Sequence, residues 1–458
     1  MKYLRYFLPI IIVVLSTTLA FSQSGTKDGT FDAAGLDEFF IKVNSGIDIE
    51  IEGTATNQIS YTYSFEGNDE AYQKYFEEFN PRFNKRAGRA ELEIEYPEEK
   101  NNNVSYEIEK NLLTLQIPEQ VRLHLTTEYA TIGIQNIGRD VSVYNRSGSV
   151  TVEDVGQSVE VTNEYGDISV RNVRGRTNIN GRSSTIDVAN ITGMVSVRSS
   201  YSKLNISNID GDVEIQNKSG AINAFEIRGK LQAEADYSEF EITNIEGAVD
   251  LRSQSGNVYV EAVRGFNFAG DYTDVRVNNV RNAAMVMING RSADITVSNI
   301  EANTSITGEY MNVKASNISR RLSIMNRSGT VEAANISERF DFNGEYTDLE
   351  LTKFQGNELQ IRSKSGSVSV DALSNNLNAD IGTEYGNIEL KIPNAFNGSF
   401  EATATYGTIN HNLTLSNKQL TSDNNSRRIS GIVGDSGKNS SHGIFLEVRN
   451  GDITVQAN

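Results

Sequence analysis

The chain has 458 residues and a formal net charge of −18, from 42 Lys and Arg against 60 Asp and Glu. It contains no Cys, which excludes disulfide scaffolds, thiol catalysis and Cys-ligated metal centres, and its 3 His lie far apart in sequence, which argues against a His-rich metal site. The acidic balance argues against sequence-independent nucleic-acid binding, which needs a basic surface, and the 19 Tyr and 19 Phe argue against a disordered acidic chain.

The N-terminal segment 1–22 has the three parts of a secretory signal. Lys2 and Arg5 supply the positive region, a short apolar run follows, and Ala20 and Ser22 provide the small residues of a cleavage site. The apolar run is too short to span a membrane comfortably. We therefore predict cleavage after Ser22 and export to the periplasm, the outer surface or the medium, with no transmembrane segment in the mature chain.

Residues 23–120 are predicted to form an N-terminal β cap. Most of this region has strand-like alternation, but the run 68–80 has aromatic residues at helical spacing, which predicts one short helix. The helical insert stops at Asn80, because the residue before a proline disfavours the helical conformation. Its structural interpretation is a plug over the end of a core, and its functional interpretation is a partner site.

A repeat of 18 residues dominates the region 121–415, with unit starts at Asn145, Asn163, Gly181 and Ser199. Within each unit the apolar residues alternate as in strands, and two turns rich in Gly, Ser and Asn separate two short strands. Such strands bury their apolar side only when successive units stack. The prediction is an all-β fold, a parallel β-helix (β-solenoid) with about 18 residues per coil. Right-handed winding is expected, as for parallel crossovers in general.

An asparagine recurs just before the third apolar position of many units. Asn tolerates the left-handed backbone conformation, and its amide can donate to the equivalent Asn of the next coil. We therefore predict an asparagine ladder with a structural role. Its members are Asn136, Asn172, Asn190, Asn208, Asn244, Asn279, Asn299, Asn317 and Asn335.

A second pattern has a period of two units. Its second and third positions alternate between acidic–Tyr, as in Glu164-Tyr165, and basic–Ser, as in Arg182-Ser183. With one unit per coil, opposite charges become neighbours, which is favourable. With two units per coil, Glu would stack on Glu. The alternation therefore favours one unit per coil.

The tyrosines of this pattern are the candidate ligand-binding residues. On every second coil they would lie roughly 10 Å apart. Their functional interpretation is a sugar platform, and their structural interpretation is a stripe along one edge. They are Tyr129, Tyr165, Tyr201, Tyr237, Tyr272, Tyr310, Tyr346 and Tyr385.

Two segments follow the repeats. The segment 416–442 is polar and rich in Gly, Ser and Asn, which predicts a flexible loop, and 443–458 has the pattern of a closing strand. Residues 434–437 copy the sequence around the nucleophile of trypsin-like serine proteases, but the surrounding fold is wrong for that chemistry. We predict no catalytic, metal or cofactor-binding residue.

The alternating Ser-Gly and Tyr-Gly unit starts, the segment 39–49, the Leu-Gln-Ile-Pro at 115–118 and the ending 446–455 together resemble the bacterial putative-adhesin domain family. That family is related to the head-GIN autotransporter-adhesin-like domains, and the N-terminal signal resembles those of Bacteroidota. The resemblance spans most of the mature chain. It implies a β-helix without known catalytic residues, and no binding residue can be carried over from it.

Together these patterns predict a non-enzymatic, extracytoplasmic β-helix protein with an adhesin-like binding or structural role at the cell envelope. A glycan or an envelope protein would be the partner, and no nucleic acid is expected. Two alternatives stay open. One is a carbohydrate-active β-helix enzyme, and the other is a periplasmic sensor or regulatory partner of a membrane protein.

Overall fold

The computed structural model describes residues 22–44, 46–96, 106–434 and 442–458. Most of these residues, 73%, lie in strands, which stack into a β-solenoid of about 15 coils. The predicted signal over 1–22 lies outside the described residues except for Ser22. Within the described part, no helix is long and apolar enough to cross a membrane.

The N-terminal part contains seven strands and one helical segment, the cap helix. The cap helix is α-helical over Asp69–Ala71 and π-helical over Tyr72–Glu77, so the predicted N-terminal helix is confirmed. Its first turn is capped by Asn68, whose side-chain oxygen accepts the amide of Ala71 at 3.0 Å. The strands are β1 (Gln23–Asp32), β2 (Glu38–Val43), β3 (Asp48–Thr54), β4 (Gln58–Gly67), β5 (Arg82–Arg86), β6 (Arg89–Ile94) and β7 (Ile108–Pro118).

The cap helix covers the end of the core with aromatic side chains. The ring of Tyr63 stacks on Phe79 with centroids 3.9 Å apart, and Tyr72 stacks on Phe76 at 4.6 Å. Tyr63, Phe76 and Phe79 are buried. The helix therefore plugs the core, as its structural interpretation requires.

Most coils are formed by the 26 strands β8 to β33, each of which pairs in parallel with the equivalent strand of an adjacent coil. Those of the first half are β8 (Arg122–Thr127), β9 (Ile132–Ile137), β10 (Val141–Ser147), β11 (Val150–Val155), β12 (Val159–Tyr165), β13 (Ile168–Val173), β14 (Thr177–Ser183), β15 (Thr185–Ile191), β16 (Val195–Arg198), β17 (Lys203–Ile209), β18 (Val213–Ile227), β19 (Leu231–Ile245) and β20 (Val249–Ser253). Those of the second half are β21 (Ser255–Val263), β22 (Phe266–Gly270), β23 (Thr273–Val280), β24 (Met285–Ile300), β25 (Asn303–Ile318), β26 (Leu322–Ile336), β27 (Arg339–Phe354), β28 (Glu358–Ser365), β29 (Val368–Ala372), β30 (Asn378–Tyr385), β31 (Ile388–Ile392), β32 (Gly398–Thr405) and β33 (Ile409–His411).

The register of these strands confirms one repeat unit per coil. Val141 pairs with Val159, and Val159 pairs with Thr177. Hydrogen bonds between equivalent side chains, such as Asn190 to Asn172, span 18 residues. Inward residues such as Ile209 are fully buried and form one continuous core along the rod. The 36-residue coil is therefore excluded.

At the N-terminal end the coils do not follow sequence order. β2 pairs with both β6 and β8, and β3 pairs with both β7 and β9. The coil made by β2 and β3 comes first in sequence, yet it lies second in the stack, beneath the coil that contains β6 and β7.

The C-terminal end is interleaved in the same way. The remaining strands are β34 (Leu415–Ser422), β35 (Ser426–Val433), β36 (Gly443–Asn450) and β37 (Ile453–Ala457). β36 pairs in parallel with β30 on one side and β32 on the other, and β37 lies between β31 and β33. The segment 443–458, predicted as a single closing strand, instead contains two strands that form an inserted, penultimate coil.

The expectation of a flexible loop over 416–442 is wrong where that segment is described. β34 and β35 form an antiparallel hairpin, and β35 extends the sheet from β32. Most of the hairpin is solvent-exposed, which explains its polar composition. Ile429 and Val433 are buried and cover the core.

Candidate functional site

The eight candidate tyrosines lie in one line along the rod, at the corner where the first strand of each coil turns into the second. Ser147 pairs with Tyr165, Tyr165 pairs with Ser183, and the same alternation recurs along the stack. We call this line the tyrosine column. Its rings are 43–63% exposed, so they are available to a ligand.

The spacing of the column follows from the coils. A tyrosine on every second coil places neighbouring rings about 10 Å apart, because coils stack at the strand spacing of about 4.8 Å. The intervening coils carry Ser at the same position, which is small. Each ring is therefore separated from the next by a shallow polar gap.

Charged side chains accompany the rings. The guanidinium of Arg182 lies 6.0 Å from the centroid of Tyr165, and the ammonium of Lys364 lies 6.0 Å from that of Tyr346. Elsewhere the basic residue pairs with an acid of the next coil, as Arg327 does with Glu345 at 3.4 Å. The corner thus offers aromatic faces with hydrogen-bond donors and acceptors beside them.

The column has a ninth member that the sequence patterns did not indicate. Tyr385 pairs with Asn450 of the inserted coil, and Ala404 pairs with Val448. Tyr406 therefore follows Asn450 in the stack, and it is 60% exposed. Two successive Tyr-Gly units, 385–386 and 406–407, break the alternation in sequence, and this was the available signal that another coil lies between them.

At the other end the column continues beneath the cap. Tyr96 follows β6, which is next to β2, and it is buried against the cap helix. Its hydroxyl donates to the backbone oxygen of Tyr75 at 2.9 Å. Burial raises the pKa of Tyr96 and also that of Tyr63, so both phenols stay neutral. The exposed column therefore begins at Tyr129.

The opposite corner carries the asparagine ladder. Asn172, Asn190 and Asn208 have φ of 56°, 60° and 54°, in the left-handed region. The Nδ2 of Asn190 donates to Oδ1 of Asn172 at 2.9 Å, and that of Asn208 donates to Oδ1 of Asn190 at 3.1 Å. These contacts are those expected of a structural ladder. A groove of about 910 Å³ also runs along this corner, which sequence patterns did not indicate.

The serine-protease-like stretch at 434–437 lies almost wholly outside the described residues. Across the described ranges, no group of three or more His, Asp or Glu side chains is placed to hold a metal ion.

Comparison with known proteins identifies a family. The model of the Toastrack DUF4097 family matches residues 37–251 and 244–456. A putative cell adhesion protein from Clostridium sporogenes is 9% identical over 95% of this chain and 100% of its own, with a TM-score of 0.18. A putative adhesin from Parabacteroides merdae is 12% identical over 74% of this chain and 96% of its own, with a TM-score of 0.20. At these values neither likeness carries an argument. No curated protein matches the chain.

Proposed function

The chain belongs to the Toastrack DUF4097 family, and we propose that it is a non-enzymatic, adhesin-like rod of the cell envelope whose tyrosine column binds a linear glycan. The observation that carries the proposal is the column itself. Its aromatic rings are exposed, share one face and repeat every second coil. A monomeric soluble protein seldom exposes so many aligned aromatic side chains without a use for them.

The chemistry of the column suits sugar rings. An aromatic face is apolar and has a negative quadrupole, so it packs well against the C–H groups of a pyranose. The carboxylates beside the rings can accept hydrogen bonds from sugar hydroxyls, and the Arg and Lys side chains can donate to ring and hydroxyl oxygens. A ring spacing of about 10 Å is close to the length of an extended disaccharide unit.

Repetition makes weak contacts sufficient. A pair of aromatic rings gains about 0.5–1.5 kcal/mol beyond its area burial, and one sugar–ring contact of similar size holds no glycan by itself. When one polymer lies along several rings, each later contact forms at a high effective concentration. Affinity should therefore rise steeply with the length of the glycan.

An extracytoplasmic location belongs to the same proposal. The expected leader ends at Ser22, and the first strand, β1, begins at Gln23. β1 pairs with β4 along its whole length, so the residues that directly follow the predicted leader belong to the described sheet. A position at the cell envelope would give the rod access to surface or matrix glycans.

The test compares glycan binding by matched variants. Purified protein is titrated with linear oligosaccharides of two to eight sugars, neutral and acidic, and binding is measured by calorimetry. Tyr201→Ala/Tyr237→Ala removes two neighbouring rings of the column. Tyr144→Ala/Tyr259→Ala is the control, because these tyrosines are 44% and 39% exposed but point out of the two sheet faces.

We expect the column variant to lose about tenfold or more in affinity for the longest oligosaccharide, since two stacking contacts disappear, whereas the control keeps it. Equal losses in the two variants, or no binding by the unaltered protein, would overturn the proposal. New reducing ends in the incubated glycan would instead indicate the enzyme alternative.

A further inference from the structure

The groove at the asparagine corner ends where the stack is least regular. Asn267 contacts its equivalent Asp250 across 17 residues, whereas Ser298 contacts Asn278 across 20. One coil is thus one residue shorter than the usual 18, and the next is two residues longer. Both irregularities lie beside Ala262, Arg264 and Arg281, which line the groove.

Backbone hydrogen bonding between adjacent coils is also interrupted there. At this corner the residue after each second strand donates its amide to the preceding coil. Glu246 donates to Ile227 at 2.8 Å and Arg281 donates to Val263 at 3.2 Å. Arg264 is the exception between 174 and 373, a range that is described throughout, and its N–H makes no such bond. The asparagine ladder breaks at the same point, because Ala262 occupies the left-handed position, with φ of 54°.

The charges at this point depart from those of the neighbouring coils at the asparagine corner, where oppositely charged residues stack on each other. Asp210 and Arg228 are oppositely charged neighbours and form an ion pair. Arg264 and Arg281 are neighbours of the same charge, because Val263 pairs with Val280. Like charges stacked directly on each other are destabilising.

Neither arginine bonds to its acidic neighbour on the adjacent coil, which is Glu246 for Arg264 and Glu301 for Arg281. Their guanidinium groups make no hydrogen bond or ion pair with any residue of the described ranges, and both side chains are exposed. Another stacked arginine pair, Arg321 and Arg339, shows the usual remedy, since both bond to the carboxylate of Asp341. Two adjacent guanidinium groups without a bonded carboxylate, beside an open groove, can take an anion from outside.

We propose that Arg264 and Arg281 form a binding site for one anionic group, a carboxylate or a phosphate, carried by an extended ligand that lies in the groove. Each guanidinium can bond such a group through two N–H donors, and the free backbone N–H of Arg264 adds another. The acids Glu246 and Glu301 flank the pair on the adjacent coils. They repel a densely charged polymer and limit the site to an isolated anion. This site is independent of the tyrosine column, which lies on the opposite corner.

The experiment uses the whole chain and three small probes, namely inorganic phosphate, glucuronate and glucose. Binding is followed at low ionic strength by line broadening of the probe's ³¹P or ¹H resonances. The test variant is Arg264→Gln/Arg281→Gln. The control is Arg252→Gln/Arg276→Gln, which removes the same charge from strands β20 and β23 of the same region but from side chains outside the groove.

We expect phosphate, glucuronate or both to bind the unaltered protein and glucose not to bind. The test variant should lose about tenfold or more in affinity, since it loses charge-assisted hydrogen bonds, and the control should stay within about twofold. The preferred anion identifies whether the ligand carries phosphate or carboxylate.

A second readout separates a binding site from a structural defect. Without ligand, the test variant should unfold at nearly the same temperature as the unaltered protein, because it loses one like-charge repulsion together with the weak attractions of the exposed arginines to Glu246 and Glu301. The proposal fails if neither anion binds, if glucose binds as well as the anions, or if the test variant keeps its affinity.

Discussion

At the scale of single residues, the asparagine corner requires a left-handed backbone conformation rather than one particular amino acid. The backbone there has φ between 52° and 60° in every regular coil, and most coils supply Asn, which tolerates this conformation. Asp154, Glu226, Ala262 and Lys353 occupy the same position with the same φ. The stacking of the coils therefore fixes the conformation of this turn, and the hydrogen bonds between the ladder amides add to its stability.

Asn190 allows the two contributions to be separated. Asn190→Ala removes the bonds to Asn172 and Asn208 and puts alanine, which tolerates the left-handed region less well than Asn, at a φ of 60°, so we expect a loss of about 2–3 kcal/mol. Asn190→Gly removes the same bonds without the strain, and its cost should be about 1 kcal/mol. Hydrogen exchange of the amides over 170–210 measures both. Equal losses in the two variants would show that the left-handed backbone carries no strain here.

At the scale of elements, the regular middle of the rod was predictable and the two ends were not. Alternating apolar residues at a fixed period define the strands of a coil, since only stacking buries them. The order of the end coils depends on pairing between segments far apart in sequence, as between β36 and β30. Neighbouring elements usually pair, so this arrangement is the less expected one.

The residues of the C-terminal end show how much of the order of its coils could be inferred from the sequence. Tyr385 and Tyr406 both belong to Tyr-type units. Because Tyr-type and Ser-type units alternate along the stack, a Ser-type or Asn-type unit had to lie between these two. Asn450 supplies it. The hairpin of β34 and β35 could not be inferred in this way, because its polar residues are exposed on most of both faces and leave no apolar alternation to detect.

Gly451 tests the inserted coil. Its φ is 152°, and a Cβ there would overlap the carbonyl oxygen of Gly386 in the coil below. We expect Gly451→Ala to cost about 2–5 kcal/mol locally, from overpacking and backbone strain. Hydrogen exchange should then increase in β36 and β37.

The increase should also reach β32 and β33, because these strands rest on the inserted coil and lose their partner when it separates. Gly133→Ala is the control, since a Cβ there meets only Glu50 Cγ at 3.9 Å. Faster exchange confined to β36 and β37 would contradict the interleaved order.

At the scale of the whole molecule, the rod is a nearly one-dimensional array. About 15 coils at about 4.8 Å each give a length of roughly 70 Å. Each coil contacts only its neighbours, so stability is approximately a sum of terms for single coils and for the interfaces between them. At both ends, strand pairing joins segments that are distant in sequence. The coil of β2 and β3 is covered by the coil of β6 and β7 and then by the cap helix. The coil of β36 and β37 is covered by the coil of β32 and β33 and then by the hairpin of β34 and β35. The ends are therefore the places where this one-dimensional description fails.

Ile209 tests the description in the regular part. Its side chain is 1% exposed and lies between Ile191 and Ile227 in the stack. Ile209→Asp removes about 1.5–3 kcal/mol of apolar burial and adds a buried, unpaired carboxylate, so the local loss should exceed about 4 kcal/mol. Ile209→Val, the control, should cost only about 0.5–1.5 kcal/mol.

Hydrogen exchange resolved along the chain reports how far the damage spreads. Because coupling runs only between neighbouring coils, protection should fall over about 186–230 and stay unchanged in β28 and β29, many coils away. A uniform loss along the rod would show that the solenoid unfolds as one cooperative unit. In that case a ligand bound at any point of the tyrosine column would stabilise the whole rod, whereas nearest-neighbour coupling confines the stabilisation to the coils that the ligand touches.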